Sequence, residues 1–121
     1  MRRAFQLAPW LLLCGIVALS VVPPGYRTVT LLPQPLEHFA IFLLLGLTFA
    51  LSYPHRYVAL GAGLLLFTTA VELVQLWVPG RHARLGDLLL NLLGLGVGIG
   101  LACVWASFAR RRRQKRMAAE R

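Results

Sequence analysis

The sequence predicts an all-α integral membrane protein, with four transmembrane helices in a compact antiparallel bundle, and two observations carry that prediction. The chain has 121 residues, of which 58% are hydrophobic and only 14% charged. A soluble domain this short buries only roughly 60–70% of the surface its unfolded chain exposes, too little to hide so much apolar area. The apolar residues also fall into four long runs separated by Pro-, Gly- and Arg-containing breaks. That is the pattern of helices that cross a bilayer.

The first run, 5–22, is close to the shortest length that spans roughly 30 Å of hydrocarbon. Its MRR start and Ala18-x-Ser20 pattern also resemble a cleavable secretory signal. The length of the run and the Pro23-Pro24 pair that follows it favour an uncleaved first span. The second run, 36–53, ends at Pro54, and the third, 57–78, stops at Pro79-Gly80. The fourth, 85–108, ends in a basic cluster. The connections VPPGYRTVTLLPQP, SYPHRY and PGRHAR have breaker compositions, as expected between antiparallel helices.

Charge sets the orientation. The formal net charge is +9, and seven of the thirteen basic residues lie in 110–121. If the spans alternate, Arg2, Arg3, Arg56 and those seven share one side, while Arg27, Arg81 and Arg84 share the other. Ten against three makes 1–4 a cytoplasmic amino terminus, 109–121 a basic cytoplasmic tail and PGRHAR an external loop. The tail directly follows an apolar span, so its natural partner is anionic lipid. No reader motif or interleaved aromatic residue accompanies it, which argues against nucleic acid. Cys14 and Cys103 lie inside apolar runs without a CxxC or metal-ligand spacing, so they read as small buried hydrophobes.

Within the apolar runs, VELVQLWVPGRHARLGDLLLNLLG carries Glu72, Gln75, Asp87 and Asn91. With the loop outside, Glu72 falls about six residues, or roughly 9 Å, below the outer end of the third span. Gln75 lies one turn nearer the surface, Asn91 is about as deep in the fourth span, and Asp87 one turn above it. Glu37 and His38 open the second span at the same edge. Three spans thus deliver polar groups to one layer near the external face. Asp87, Asn91, Gly94 and Gly98 follow i, i+4, i+7, i+11, a single helix stripe whose glycines admit close packing. Gly96 and Gly100 widen that small-residue surface, and His38, Phe42, Leu45 and Phe49 form a comparable stripe on the second span.

Plainer roles stand beside the functional ones. Asp87 at a helix start complements the helix dipole. Asn91 and Gln75 suit hydrogen bonds across helices, and Arg81 and Arg84 suit a wet loop. Glu72 is the hardest to explain this way. An ionised carboxylate in mid-span costs about 2.5–3.5 kcal/mol unless paired, so it needs a proton, a wet cavity or a cation such as Arg81, Arg84 or His38.

The segments LEHFAIFLLLGL and VELVQLWVPGRHARLGDLLLNLLGLGVG resemble the VanZ-like family of bacterial membrane proteins over roughly 36–100. The matching positions are His38 and Phe39, Gly46, Glu72 and Gln75, Arg81, Asp87, Asn91, Gly94 and Gly98. The resemblance marks Gly46 as a further helix-packing position. It implies a multi-pass protein of the bacterial inner membrane and an association with resistance to teicoplanin, an acylated glycopeptide. It implies no established reaction. The resemblance assigns no role to Glu37, the acidic residue beside His38.

Three functions compete. In the first, an outer-leaflet pocket built from His38, Glu72, Gln75, Arg81, Arg84, Asp87 and Asn91 binds a lipid-linked envelope precursor or an acylated anionic ligand. Guanidinium groups there would form bidentate contacts with phosphate or carboxylate. In the second, an intramembrane enzyme uses Glu72 as base, with His38 and Asp87 as the other catalytic candidates. In the third, the chain is a structural subunit of an envelope assembly, joined as an oligomer or with another membrane protein through its small-residue stripes. No HExxH or related spacing supports a metal, and no cofactor is expected.

Overall fold

The computed structural model describes residues 2–21, 33–77 and 85–119. For residues 2–5, 21 and 34 only the backbone is described. Four helices account for nearly all of the described residues: α1 (Arg2–Val21), α2 (Gln34–Ser52), α3 (Tyr57–Gln75) and α4 (Leu85–Ala119). No strand occurs among the described residues. Three helices, α2, α3 and α4, are long and apolar enough to cross a membrane. The apolar stretch of α1, Gln6–Ser20, is shorter.

Local chemistry explains the helix ends. Pro35 sits in the first turn of α2, where its missing N–H would have no helical partner in any case. Glu37 supplies the negative charge that the exposed amides of that turn favour. Between α2 and α3 the chain turns over Tyr53–Arg56, closed by Arg56 N–H donating to Tyr53 C=O at 3.4 Å. Pro54 pre-sets the second position of this turn, and His55 takes a left-handed φ of 75° at the third.

Helices α1 and α2 fall within three residues of their expected bounds, and the C-terminal ends of α3 and α4 differ for identifiable reasons. Helix α3 ends at Gln75 rather than at 78. Its last turn tightens, with Leu76 N–H donating to Leu73 C=O at 3.2 Å and Trp77 N–H to Val74 C=O at 3.0 Å. Such three-residue closures satisfy terminal carbonyls where a nearby proline, here Pro79, bars a further helical turn. Helix α4 does not stop near 108 but runs through the basic segment to Ala119. Arg and Lys are good helix formers, and cations near a helix C-terminus suit its dipole. The Arg112 guanidinium also lies over the Phe108 ring one turn earlier, 5.3 Å from its centroid.

All four helices contribute to one core of Ile16, Phe42, Leu45, Phe49, Leu64 and Leu95. The outside is apolar too: Val58 is 89% exposed, Leu66 71% and Trp105 70%. A helical surface this rich in exposed hydrophobes belongs in lipid.

The closest pair is α2 and α4, and glycine sets its spacing. A Cβ on Gly46 would lie 2.5 Å from the Leu95 carbonyl oxygen, and one on Gly94 would lie 2.5 Å from that of Phe39. One turn further along both helices, a Cβ on Gly98 would overlap Leu43 C=O and the Leu47 amide nitrogen. Because Phe39, Leu43 and Leu47 advance in step with Gly94 and Gly98, α2 and α4 run parallel. Gly96 and Gly100 do not extend this surface, since a Cβ on either would meet nothing within 4 Å. They are rotated about 200° from Gly94 and Gly98 on a 3.6-residue helix and face outward.

Candidate functional site

The last turn of α3 and the opening turns of α4 meet at one end of the bundle. On α3, the buried residues Leu64, Thr68, Val71, Glu72 and Gln75 recur at helical spacing and face inward. On α4, Asn91, Gly94, Leu95, Gly98 and Ala102 do the same. Glu72 is only 5% exposed and Asn91 1%. Asn91 Nδ2 donates to Glu72 Oε1 at 3.1 Å, a buried hydrogen bond that joins the two helices. A carboxylate oxygen accepts, so the amide must present its nitrogen to it.

Because α3 stops at Gln75, Glu72 belongs to its final turn. The depth of six residues expected from the sequence becomes three, roughly 4.5 Å along the axis. A buried partner, rather than depth alone, characterises its setting. The second Glu72 oxygen, Oε2, is also sealed from solvent, as are His38 Nδ1 and Glu37 Oε1. Asn91 Oδ1 is buried and accepts no hydrogen bond among the described residues.

The remaining candidates divide by position. Gln75 is buried on the same α3 face as Glu72. His38 and Glu37 are half-buried in the first turns of α2, and Asp87 is half-buried in the first turn of α4. All these segments lie at the Glu72 end of the alternating bundle. Among the described residues, no group of three His, Cys, Asp or Glu side chains is placed to hold a metal ion. Arg81 and Arg84 lie outside the described residues.

Two features escaped the sequence reading. Thr68 is fully buried one turn inward from Glu72, with its hydroxyl donating to Leu64 C=O at 2.8 Å. Its signal was the stripe Leu64, Thr68, Val71, Glu72, Gln75. At the opposite end of the bundle, Trp10 Nε1 donates to the Tyr53 hydroxyl at 3.0 Å. Phe49 packs edge-on against Trp10 and stacks with Tyr53.

The family model described as VanZ-LLP1: VanZ/LLP1 matches residues 4–106, which reaches into all four helices and includes every candidate site residue from His38 to Asn91. No curated protein and no solved structure is a significant match to the chain.

Proposed function

This chain belongs to the VanZ/LLP1 family, and from that premise we propose that it is a bacterial cell-envelope protein whose polar end binds the anionic part of a lipid-linked or acylated ligand. In this reading it sits in the cytoplasmic membrane with both termini inside and the Glu72 end facing out. The family name carries the link to glycopeptide resistance.

The observation that supports the reading is the buried acceptor on Asn91. Glu72 Oε1 accepts a hydrogen bond from the Asn91 amide, and Asn91 Oδ1 accepts none among the described residues. A buried acceptor in that state costs about 1–3 kcal/mol, which a nearby donor offsets. The segment joining α3 to α4 carries Arg81, His82 and Arg84. A guanidinium has five N–H donors, enough to meet these oxygens and still offer a fork to phosphate or carboxylate. Glu72, Gln75, Asp87, Asn91 and His38 would then hold the cationic loop, and the apolar helix surfaces would take the ligand's acyl chain.

The test replaces Cys14 and Cys103 with alanine and introduces single cysteines at 82 or 85, which leaves Arg81, Arg84 and Asp87 in place. Both should react with a membrane-impermeant maleimide in intact cells. A short-chain phosphatidic acid should slow that reaction, and the matching neutral diacylglycerol should not. Cysteines that fail to react from outside, or that both lipids protect equally, would overturn the proposal.

A further inference from the structure

At the end of the bundle remote from Glu72, α1 and the α2–α3 hairpin border an open cavity of about 500 Å³. Its walls include Trp10, Phe49, Leu60, Gly63 and Phe67, with Tyr53 and Arg56 also lining it. Arg56 supplies the only full charge among the lining residues. The tryptophan N–H is already committed to the Tyr53 oxygen, which leaves the Tyr53 O–H proton available to a further acceptor. Gly63 lines the space, and a Cβ there would meet nothing within 4 Å, so a larger side chain can be accommodated at this position.

Three features of this cavity fix the chemistry of its occupant. The lining is otherwise apolar, so the part that enters is hydrocarbon. A methylene has about the volume of a water molecule, roughly 30 Å³, so the space is on the scale of one acyl chain. Arg56 caps the turn that leads into α3, outside the apolar spans, where long basic side chains hold their charge at the headgroup level. Trp10 and Tyr53 belong to the residue types that favour that same interfacial level. A chain below and a guanidinium above match an anionic lipid rather than a zwitterionic one.

We propose that the cavity between α1 and the α2–α3 hairpin is a binding site for an anionic phospholipid, with one acyl chain inside and the phosphate on Arg56 and the Tyr53 hydroxyl. The site is separate from the Glu72 cluster and stands or falls independently of it. It gives α1, whose apolar stretch is the shortest of the four, a lipid-mediated attachment to the rest of the bundle.

Trp10 lines the cavity and reports on it directly. The experiment uses full-length protein carrying W77F and W105F, reconstituted in phosphatidylcholine vesicles with dibrominated phosphatidylglycerol or dibrominated phosphatidylcholine as quencher. Phosphatidylglycerol should be preferred about fivefold at Trp10, the factor that one basic residue's attraction to anionic lipid provides. R56Q should lower that preference by at least half, although the basic tail is retained. G63L should fill the cavity and reduce quenching by both lipids, with the far-UV spectrum and melting temperature unchanged. Inorganic phosphate at millimolar concentration should not relieve the quenching. Equal quenching by the two lipids, a preference that survives R56Q, unaltered quenching in G63L, or relief by free phosphate would each overturn the proposal.

Discussion

At the scale of single residues, the contact between Glu72 and Asn91 decides most about the polar end. Interhelical hydrogen bonds in membranes average only about 0.6 kcal/mol, because the separated helices find other partners. Removing one side of a buried pair costs more, since the group left behind keeps its desolvation penalty. N91A should therefore lower stability by about 1–3 kcal/mol, read as an earlier thermal melt in detergent. The E72A/N91A double variant should lose less than the two single variants together, because the second substitution removes the oxygen that the first strands. Strict additivity would mean that the bond contributes nothing. Both residues were conspicuous in the sequence as polar positions inside apolar runs. Their pairing was not, because no spacing rule relates position 72 on one helix to 91 on the next. Thr68 was less visible still. A threonine whose hydroxyl returns to its own helix, as Thr48 and Thr69 also do, leaves no trace in hydropathy.

At the scale of elements, the register of α2 against α4 depends on where glycine allows backbones to touch. Helix α4 carries five glycines between Gly86 and Gly100, and composition alone does not separate those that pack from those that face outward. Phase does. Gly94 and Gly98 lie on the face turned to α2, whereas Gly96 and Gly100 meet nothing. G98A should destabilise the fold by about 1–3 kcal/mol, because the added methyl meets backbone atoms that cannot rotate away. G96A and G100A should be neutral, or stabilising by about 0.5–1 kcal/mol through helix propensity. Melting curves of the three variants in one detergent would check this, and equal effects would show that the α2–α4 contact does not set the spacing. Helix ends were legible only where a proline stood nearby. Pro54 and Pro79 located the breaks, but the tightened turn at Leu76 depends on carbonyl pairing that residue types do not encode.

At the scale of the whole molecule, length and charge together argue for one orientation. Helix α4 has 35 residues and is about 52 Å long at 1.5 Å per residue, against roughly 30 Å of hydrocarbon. Its final turns therefore extend beyond the lipid. Every residue from Ser107 to Ala119 is exposed, and the basic side chains of Arg110–Arg113, Lys115 and Arg116 point in all directions around the axis. A helix that is charged all round stands clear of the apolar layer rather than lying along it. The apolar periodicity stops at Phe108, which set the expected end of the span, although the helix propensity of Arg and Lys already favoured continuing it. If the charge bias of ten against three directs insertion, a carboxy-terminal fluorescent protein should light up in cells and a carboxy-terminal alkaline phosphatase should stay inactive. Replacing Arg110–Arg113 and Arg2–Arg3 with glutamine leaves four against three and should yield a mixed population in which both reporters are active. A single unchanged orientation in that variant would place the topological signal elsewhere.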